Sequence, residues 1–577
     1  MSEPETQQSD TSPPESAPDG QRPRAPRRHG LLHHVGQFCL GCAAMVLVLS
    51  VALVAVLAAG VTAPGWLREQ AAGRIGAALP EHRLSFEALS VGLDGSMAPR
   101  VSLSGVTLED ASGTRLADLA ALDVSLSRRA LLGGEVALSR IRLDGGRLIL
   151  RRRADGALSA AFESGEPRAP RAAQEIPFPE QIAALFERPV LASLRQVEAA
   201  NLSLRYEDAR SGRAWTADGG QAMLERQGEE ITLRGNVTVL GAREYASALE
   251  VNYTGDLDGS EARFGIRFED VPAGELAGQS PALAWLGALQ APISGALRAA
   301  VGADGQLGPL NATLQIGAGA LRPNEATQPI PFHAARSYFT YDPDRQQIDF
   351  SEISVESDWG TARAEGRARL LGMESGWPSA LEAQVRIGEI AANPAGLYPE
   401  PVVFEGAAAD LRLALDPFRL DVGDFRLRDR GEVLRVSGVA RGRADGWSVD
   451  VAGRMTTIAP ERLLELWPAT LKPKTRTWID ENVRSIGLHD IQFGLRAVPE
   501  APPEVFLGFD FSDLTTVYVA GVPPIEAASG RASIRDNRFV IHADKGHVTA
   551  AQGGRVDVSG TDFIIPDLRI RRGPAEA

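Results

Sequence analysis

The sequence predicts a mainly β protein: an antiparallel meander that follows one N-terminal transmembrane helix and carries a short helical insert near residues 459–485. Three observations predict it. A long uncharged apolar segment lies near the N-terminus, period-two alternation of apolar residues follows it, and Asp-Gly turn signals recur along the rest of the chain.

The apolar segment comes first. Residues 1–30 are rich in Pro, Ser, Glu and Gln and lack periodicity, the composition of a disordered tail. From Phe38 to Val61 the chain reads FCLGCAAMVLVLSVALVAVLAAGV, and no Asp, Glu, Lys or Arg occurs between His29 and Leu67. About 20 such residues cross a bilayer as a helix. A cleaved signal peptide is the rival reading, but its apolar core usually runs about 7–15 residues. Arg22, Arg24, Arg27 and Arg28 precede the segment, so the positive-inside rule places the N-terminus in the cytoplasm and the bulk outside. Trp66 sits where an interfacial aromatic belongs.

The alternation follows. Val101 and Leu103 alternate with serines, and so do Leu122, Val124 and Leu126 with polar neighbours. Ile141 and Leu143, Leu202 and Leu204, and Ile231 and Leu233 repeat the pattern. Such spacing puts one set of side chains on an apolar face and the other toward water. Asp-Gly pairs at 94, 144, 155, 218, 258, 304 and 445 mark tight hairpins. The alternation continues through Val556 and Val558 to the segment Arg569, Ile570, Arg571.

Two stretches break the pattern with helical spacing. Residues 178–188 read FPEQIAALFER, and 459–485 read APERLLELWPATLKPKTRTWIDENVRS. In the second, Pro468 and Pro473 divide two short helices and Gly487 supplies a stop. The resulting organisation is a cytoplasmic tail at 1–34, an anchor at 35–62, a β ectodomain at 63–455, the insert at 456–488 and a further β segment at 489–577.

Composition excludes several functions. Aromatics make up 6% and the net charge is −14, which disfavours nucleic acid as a partner. Cys39 and Cys42 both fall in the apolar segment, so the ectodomain has neither disulfides nor thiolate metal sites. No phosphate loop, zinc-protease motif, nucleophile elbow or dinucleotide fingerprint is present. No catalytic, metal or cofactor site is expected, and no cofactor. His542 and His547 read as a hairpin surface. Asp342 and Asp344 lack the Gly and Glu spacing of a calcium loop and read as a Pro-containing turn. The run Arg151, Arg152, Arg153 reads as a solvated strand end, since lipid-headgroup clusters usually hold about 4–8 cations.

Three stretches together resemble a known family. They are LSFEALSVGLDGSMAPRVSLSGVTLED after the anchor, VSLSRRALLGGEVALSRIRLDGGRLIL with its Gly-Gly elements, and LLELWPATLKPKTRTWIDENVRSIGLHDIQFGLR. The last carries Trp467-Pro468, Thr475, Arg476, Thr477, Trp478 and Gly487. The chain resembles the AsmA-like proteins of bridge-like lipid transfer, most closely the YhdP branch, over nearly the whole length after the tail. The resemblance implies an elongated β-sheet curled into an open groove with an apolar interior. It also implies an inner-membrane anchor, a periplasmic bulk and phospholipid movement between inner and outer membranes of a Gram-negative envelope. The groove lining would then include Val101, Leu103, Leu122, Val124, Leu126, Ile141, Leu143, Leu202, Leu204, Ile231 and Leu233. Alternation alone does not distinguish such a groove from a filled sandwich core. An envelope scaffold or outer-membrane assembly factor, binding proteins along sheet edges, is the second reading. YhdP-type proteins run to about twice this length. About 30 strands at about 4.8 Å would stack to about 145 Å. The resemblance therefore implies a fragment, a split chain or a short form that meets a periplasmic or outer-membrane protein partner.

Overall fold

The computed structural model describes residues 31–78, 82–110, 115–153, 158–162, 186, 188–209, 213–240, 246–257, 261–302, 306–570 and 575–576. The chain divides into two units, residues 1–61 and 62–577. In the first, a helix runs over Leu31–Ala59. Its Leu40–Ala59 stretch has a mean hydropathy of 2.8, long and apolar enough to span a membrane. At about 1.5 Å per residue it covers about 30 Å, the thickness of a hydrocarbon core. The segment expected to anchor the chain is thus a helix, begun a few residues earlier than the apolar run.

The second unit is built on one large, mostly antiparallel sheet that does not close into a barrel. Successive strands pair as a meander. Pro99–Asp110 pairs with Arg115–Leu126, and far along the chain Glu504–Thr516 pairs with Ile525–Arg535, then Arg538–Thr549 and Thr561–Ile565. Tight turns set the registers. Arg430 and Gly431 (φ 51° and 85°), and Asp536 and Asn537 (φ 50° and 63°), hold the paired positive angles of two-residue hairpin loops.

The Asp-Gly signals divide. Those at 94 and 445 lie in turns between paired strands. Those at 155, 258 and 304 lie outside the described residues. At 218 the pair sits inside the strand Arg213–Gln227, where the register shifts. Asp144-Gly145 is no hairpin either. The strands Leu138–Asp144 and Arg147–Arg152 both run parallel to Gln196–Asp208, so together they form one strand kinked at Gly145 and Gly146. Positive φ angles of 77° and 115° explain the glycines, and a Cβ on Gly146 would sit 2.8 Å from Leu119 Cδ2. Local turn chemistry cannot tell a hairpin from a kink or bulge, because the same backbone angles serve all three.

The helical insert forms as two helices, Pro460–Leu466 and Pro473–Asn482, each opened by its proline. Gly487 does not stop them. The strand Val483–Ala497 has already begun, and Gly487 pairs with Ser512 inside it. The helix expected at 178–188 falls almost wholly outside the described residues, Phe186 and Arg188 excepted. His542 and His547 do not flank a turn; both lie in the strand Arg538–Thr549. Arg569 and Ile570 form a turn rather than a strand.

Candidate functional site: a continuous apolar face

Residues directly opposite in a sheet ladder project from the same face. Following partners from strand to strand therefore traces one face across the whole sheet. One such row starts at Leu89 and passes through Leu103, Leu122 and Leu143 to Ala199. It continues through Ala222, Gly235, Val251, Ile266 and Leu297. Ala312, Phe339, Phe350, Gly366, Val385 and Ala409 carry it onward. Phe425, Val436, Gly453, Phe493, Leu507, Ile534, Phe539 and Ile565 complete it. Every position is Gly, Ala, Val, Ile, Leu or Phe. At Gly453 the ring of Phe493 occupies the space a side chain would fill.

The candidate lining residues all lie on this face. Leu103, Leu122 and Leu143 belong to the row itself. Val101, Val124 and Ile141 form the next row, which leads through Val197 and Leu224 to Leu233. Leu126 pairs with Leu138, Leu202 with Gly220, Leu204 with Ala217, and Ile231 with Gly255. Leu103 and Ile231 are buried and the others half-buried.

The opposite face is ionic. Beside the apolar row run Ser102, Asp123, Arg142 and Glu198, and later Asp349, Arg367, Gln384 and Asp410. Arg142 lies 3.8 Å from Glu198, and Arg426 bridges Asp410 and Asp424. Ser125, which alternation places toward water, is buried at 4% exposure. It belongs to a cluster around Asp94, which also accepts from Ser96 and from the backbone of Ala98. Burial alone would raise the Asp94 pKa, but hydrogen bonds from Ser96, Ala98 and Ser125 outweigh it and hold it at about 2. A depressed carboxyl stabilises the fold above its ordinary pKa, and that contribution fades as pH falls from about 4 to about 2. Asp94→Asn is therefore expected to lower stability by about 2 kcal/mol at neutral pH, at about 1.4 kcal/mol per unit. Denaturation of both proteins at pH 7 and pH 2.5 checks this; the difference should shrink at the lower pH.

The apolar face is continuous but not bare. Between the strands Glu261–Pro272 and Pro292–Gly302 the chain leaves the sheet as a plug containing the helix Ala273–Ala277 and the 3-10 helix Pro281–Ala288. Ala282, Leu283 and Leu286 have no exposed surface and share one core with Phe268, Leu297, Ala312 and Phe339. Trp285 meets Phe350 edge-on at 6.3 Å between ring centroids. Arg152 fastens the plug by donating to the Gly278 carbonyl, the Gln279 carbonyl and the Gln279 side chain. Arg152 also lies 3.8 Å from the buried Asp208, and Arg151 pairs with Glu207. Arg151 and Arg152 thus form a structural clamp and not a solvated strand end, whereas Arg153 just beyond the strand is exposed.

A second cover crosses nearby. Residues 317–333 leave one rim of the sheet and reach Gly442 at the other. There Asn324 donates to the Gly442 carbonyl, and Trp447 Nε1 donates to the Gln328 carbonyl at 2.7 Å. A Cβ on Gly442 would touch Pro323, Asn324 and Thr327, so this strap lies on the apolar face. Farther along, the helix Pro460–Leu466 is pinned at the rim by Arg462. Its guanidinium makes two 2.8 Å bonds to Asp429, a third to Glu465 and one to the Val403 carbonyl. The Asp429 hydrogen bonds raise the Arg462 pKa, and the Arg462 bond lowers that of Glu465.

Near the start of the sheet the face is open enough to leave a pocket of about 190 Å³. Its walls are Leu84, Val106, Leu108, Ala117, Leu119, Leu122 and Leu143, with no polar surface among them. Such a space accepts hydrocarbon and offers nothing to a polar ligand. Among the described residues no group of three His, Cys, Asp or Glu side chains is placed to hold a metal.

Sequence reasoning missed the plug and the Arg462–Asp429 pair. The plug had a signal, because PALAWLGAL is a continuous apolar run opened by a proline that breaks the period of two. The ion pair had none, its members being 33 residues apart. Comparison with family models, curated proteins and solved structures found no match.

Proposed function

We propose that this protein is anchored in a bacterial inner membrane by its N-terminal helix. In this reading the sheet lies in the periplasm, shields acyl chains on its apolar face and supports phospholipid transport between inner and outer membranes. One observation carries the proposal: a strand-to-strand row without a polar side chain from Leu89 to Ile565, bordered near its start by an all-carbon pocket. Soluble proteins rarely leave extended apolar surface half-exposed without a ligand or partner for it. The arginines before the helix support the orientation. Full-length lipid movement would need the plug to lift, since it fills the middle of the face.

A photo-crosslinking amino acid at Val124, Leu143 or Leu204, in cells, tests the proposal. These positions should capture phospholipid, detected by mass spectrometry, several-fold more than Arg234 and Asn236 on the exposed polar face. Ser125 is unsuitable as a control because it is buried. Equal capture on both faces would overturn the proposal. Capture of protein in place of lipid would favour an assembly scaffold.

A further inference from the structure

The strand Arg115–Leu126 and the strand Leu138–Asp144 are joined by a turn that presents apolar side chains to solvent. The turn is fully folded. Ser127 N donates to the Ala137 carbonyl at its base, and Ser127 Oγ accepts from Ala130 N and caps the helix Arg128–Leu132. Gly133, Gly134 and Glu135 all donate back into that helix. The backbone is thus satisfied internally, yet Leu132 is 91% exposed and Val136 64%, with Leu131 also exposed. Val190 joins them, because its carbonyl accepts from Leu138 N. A turn closed by its own hydrogen bonds has no need of exposed leucines for folding.

The charges around the turn select an occupant. Arg128 and Arg129 are exposed and carry no ion pair among the described residues, and Glu135 is the acid in the turn. This local cationic surplus stands in a chain of net charge −14. Exposed aliphatic side chains that share a short helix with two exposed arginines match the interface of an anionic bilayer, where the apolar groups enter the acyl boundary and the cations meet headgroups.

We infer that residues 127–137 form a membrane-docking element that inserts Leu131, Leu132 and Val136 into the headgroup region of an anionic phospholipid bilayer. The inference does not depend on the apolar face carrying lipid.

The test uses the full chain with Cys39→Ser and Cys42→Ser, labelled with an environment-sensitive fluorophore at Leu132→Cys. The protein is reconstituted into phosphatidylcholine vesicles with or without phosphatidylglycerol. With phosphatidylglycerol, the probe should shift to the blue and be quenched by lipids spin-labelled high on the acyl chain, whereas a probe at Asp344→Cys stays in water. Arg128→Glu with Arg129→Glu should reduce the partitioning by at least about fivefold for each arginine lost. Both sites are exposed, so the variants test docking and not folding. Emission and quenching at Leu132→Cys equal to those at Asp344→Cys in both vesicles would overturn the inference, as would a response indifferent to phosphatidylglycerol and to the arginine changes.

Discussion

Asp429→Ala is expected to release the helical insert from the sheet, at a cost of roughly 3–5 kcal/mol, because it strands a buried guanidinium. Arg462 and Asp429 are among the few buried charges, at 9% and 5% side-chain exposure. Their bond is bidentate, and the guanidinium also lies 5.6 Å from the Phe404 ring centroid. Removing Asp429 leaves Glu465, half-exposed at 47%, as the remaining carboxylate on Arg462. Solvent weakens that partner. Hydrogen exchange across Pro460–Leu466 and Pro473–Asn482 should accelerate strongly, and proteolysis should begin near Lys472 and Lys474. The double change Arg462→Met with Asp429→Leu should recover much of the loss, since apolar packing can replace a buried pair. Slow exchange in Asp429→Ala would show that the Tyr398 hydrogen bond to the Leu466 carbonyl and the Arg430–Glu465 pair hold the helix without it.

The second large effect is expected in the plug. Leu283→Ala or Leu286→Ala should each cost about 2–5 kcal/mol, the usual range for a fully buried leucine. Both side chains have no exposure and share a core with Ile293, Leu314 and Phe339. Their effects will not add, because they occupy one cluster. Trp285 Nε1, Arg322 Nε and Ser337 Oγ are buried with no hydrogen-bond partner among the described residues. Apolar contact therefore supplies the hold inside the plug, while the three Arg152 hydrogen bonds fasten its edge at Gly278 and Gln279. Loosening the plug should speed exchange over residues 273–291 while leaving Pro99–Asp110 and Arg115–Leu126 unchanged. A photo-crosslinker at Phe350, beneath Trp285, should then capture more lipid than in the parent protein. Unchanged capture despite faster exchange would place the lipid path away from the plug.

How much was legible in the sequence depended on range. The long apolar helix was legible because length and absence of charge are both local properties. Each strand's inner face was legible because side chains alternate with period two whatever the strand pairs with. Leu122, Val124 and Leu126 could therefore be assigned to a face without knowing that Leu103 and Leu143 flank Leu122. The paired helices at 460–482 were legible from their prolines.

Errors arose where one local signal has several tertiary outcomes. Gly145 and Gly146 make a kink because Gln196–Asp208 pairs in parallel with both halves, a contact more than fifty residues away. Ser125 is buried and hydrogen-bonds to Asp94, a residue 31 positions earlier in the chain. Arg151 and Arg152 find Glu207 and Asp208 only because that same strand comes alongside.

The sequence by itself thus determined an apolar helix long enough for a membrane and a succession of half-apolar strands. Alternation and hydrophobic length are properties of contiguous residues. Tertiary structure alone decided that the half-apolar strands align into one unbroken apolar row, that a plug and a strap cover its middle, and that Arg462 pins the insert at the rim. Those depend on inter-strand register and on contacts between distant residues, which the pattern within any one segment does not contain.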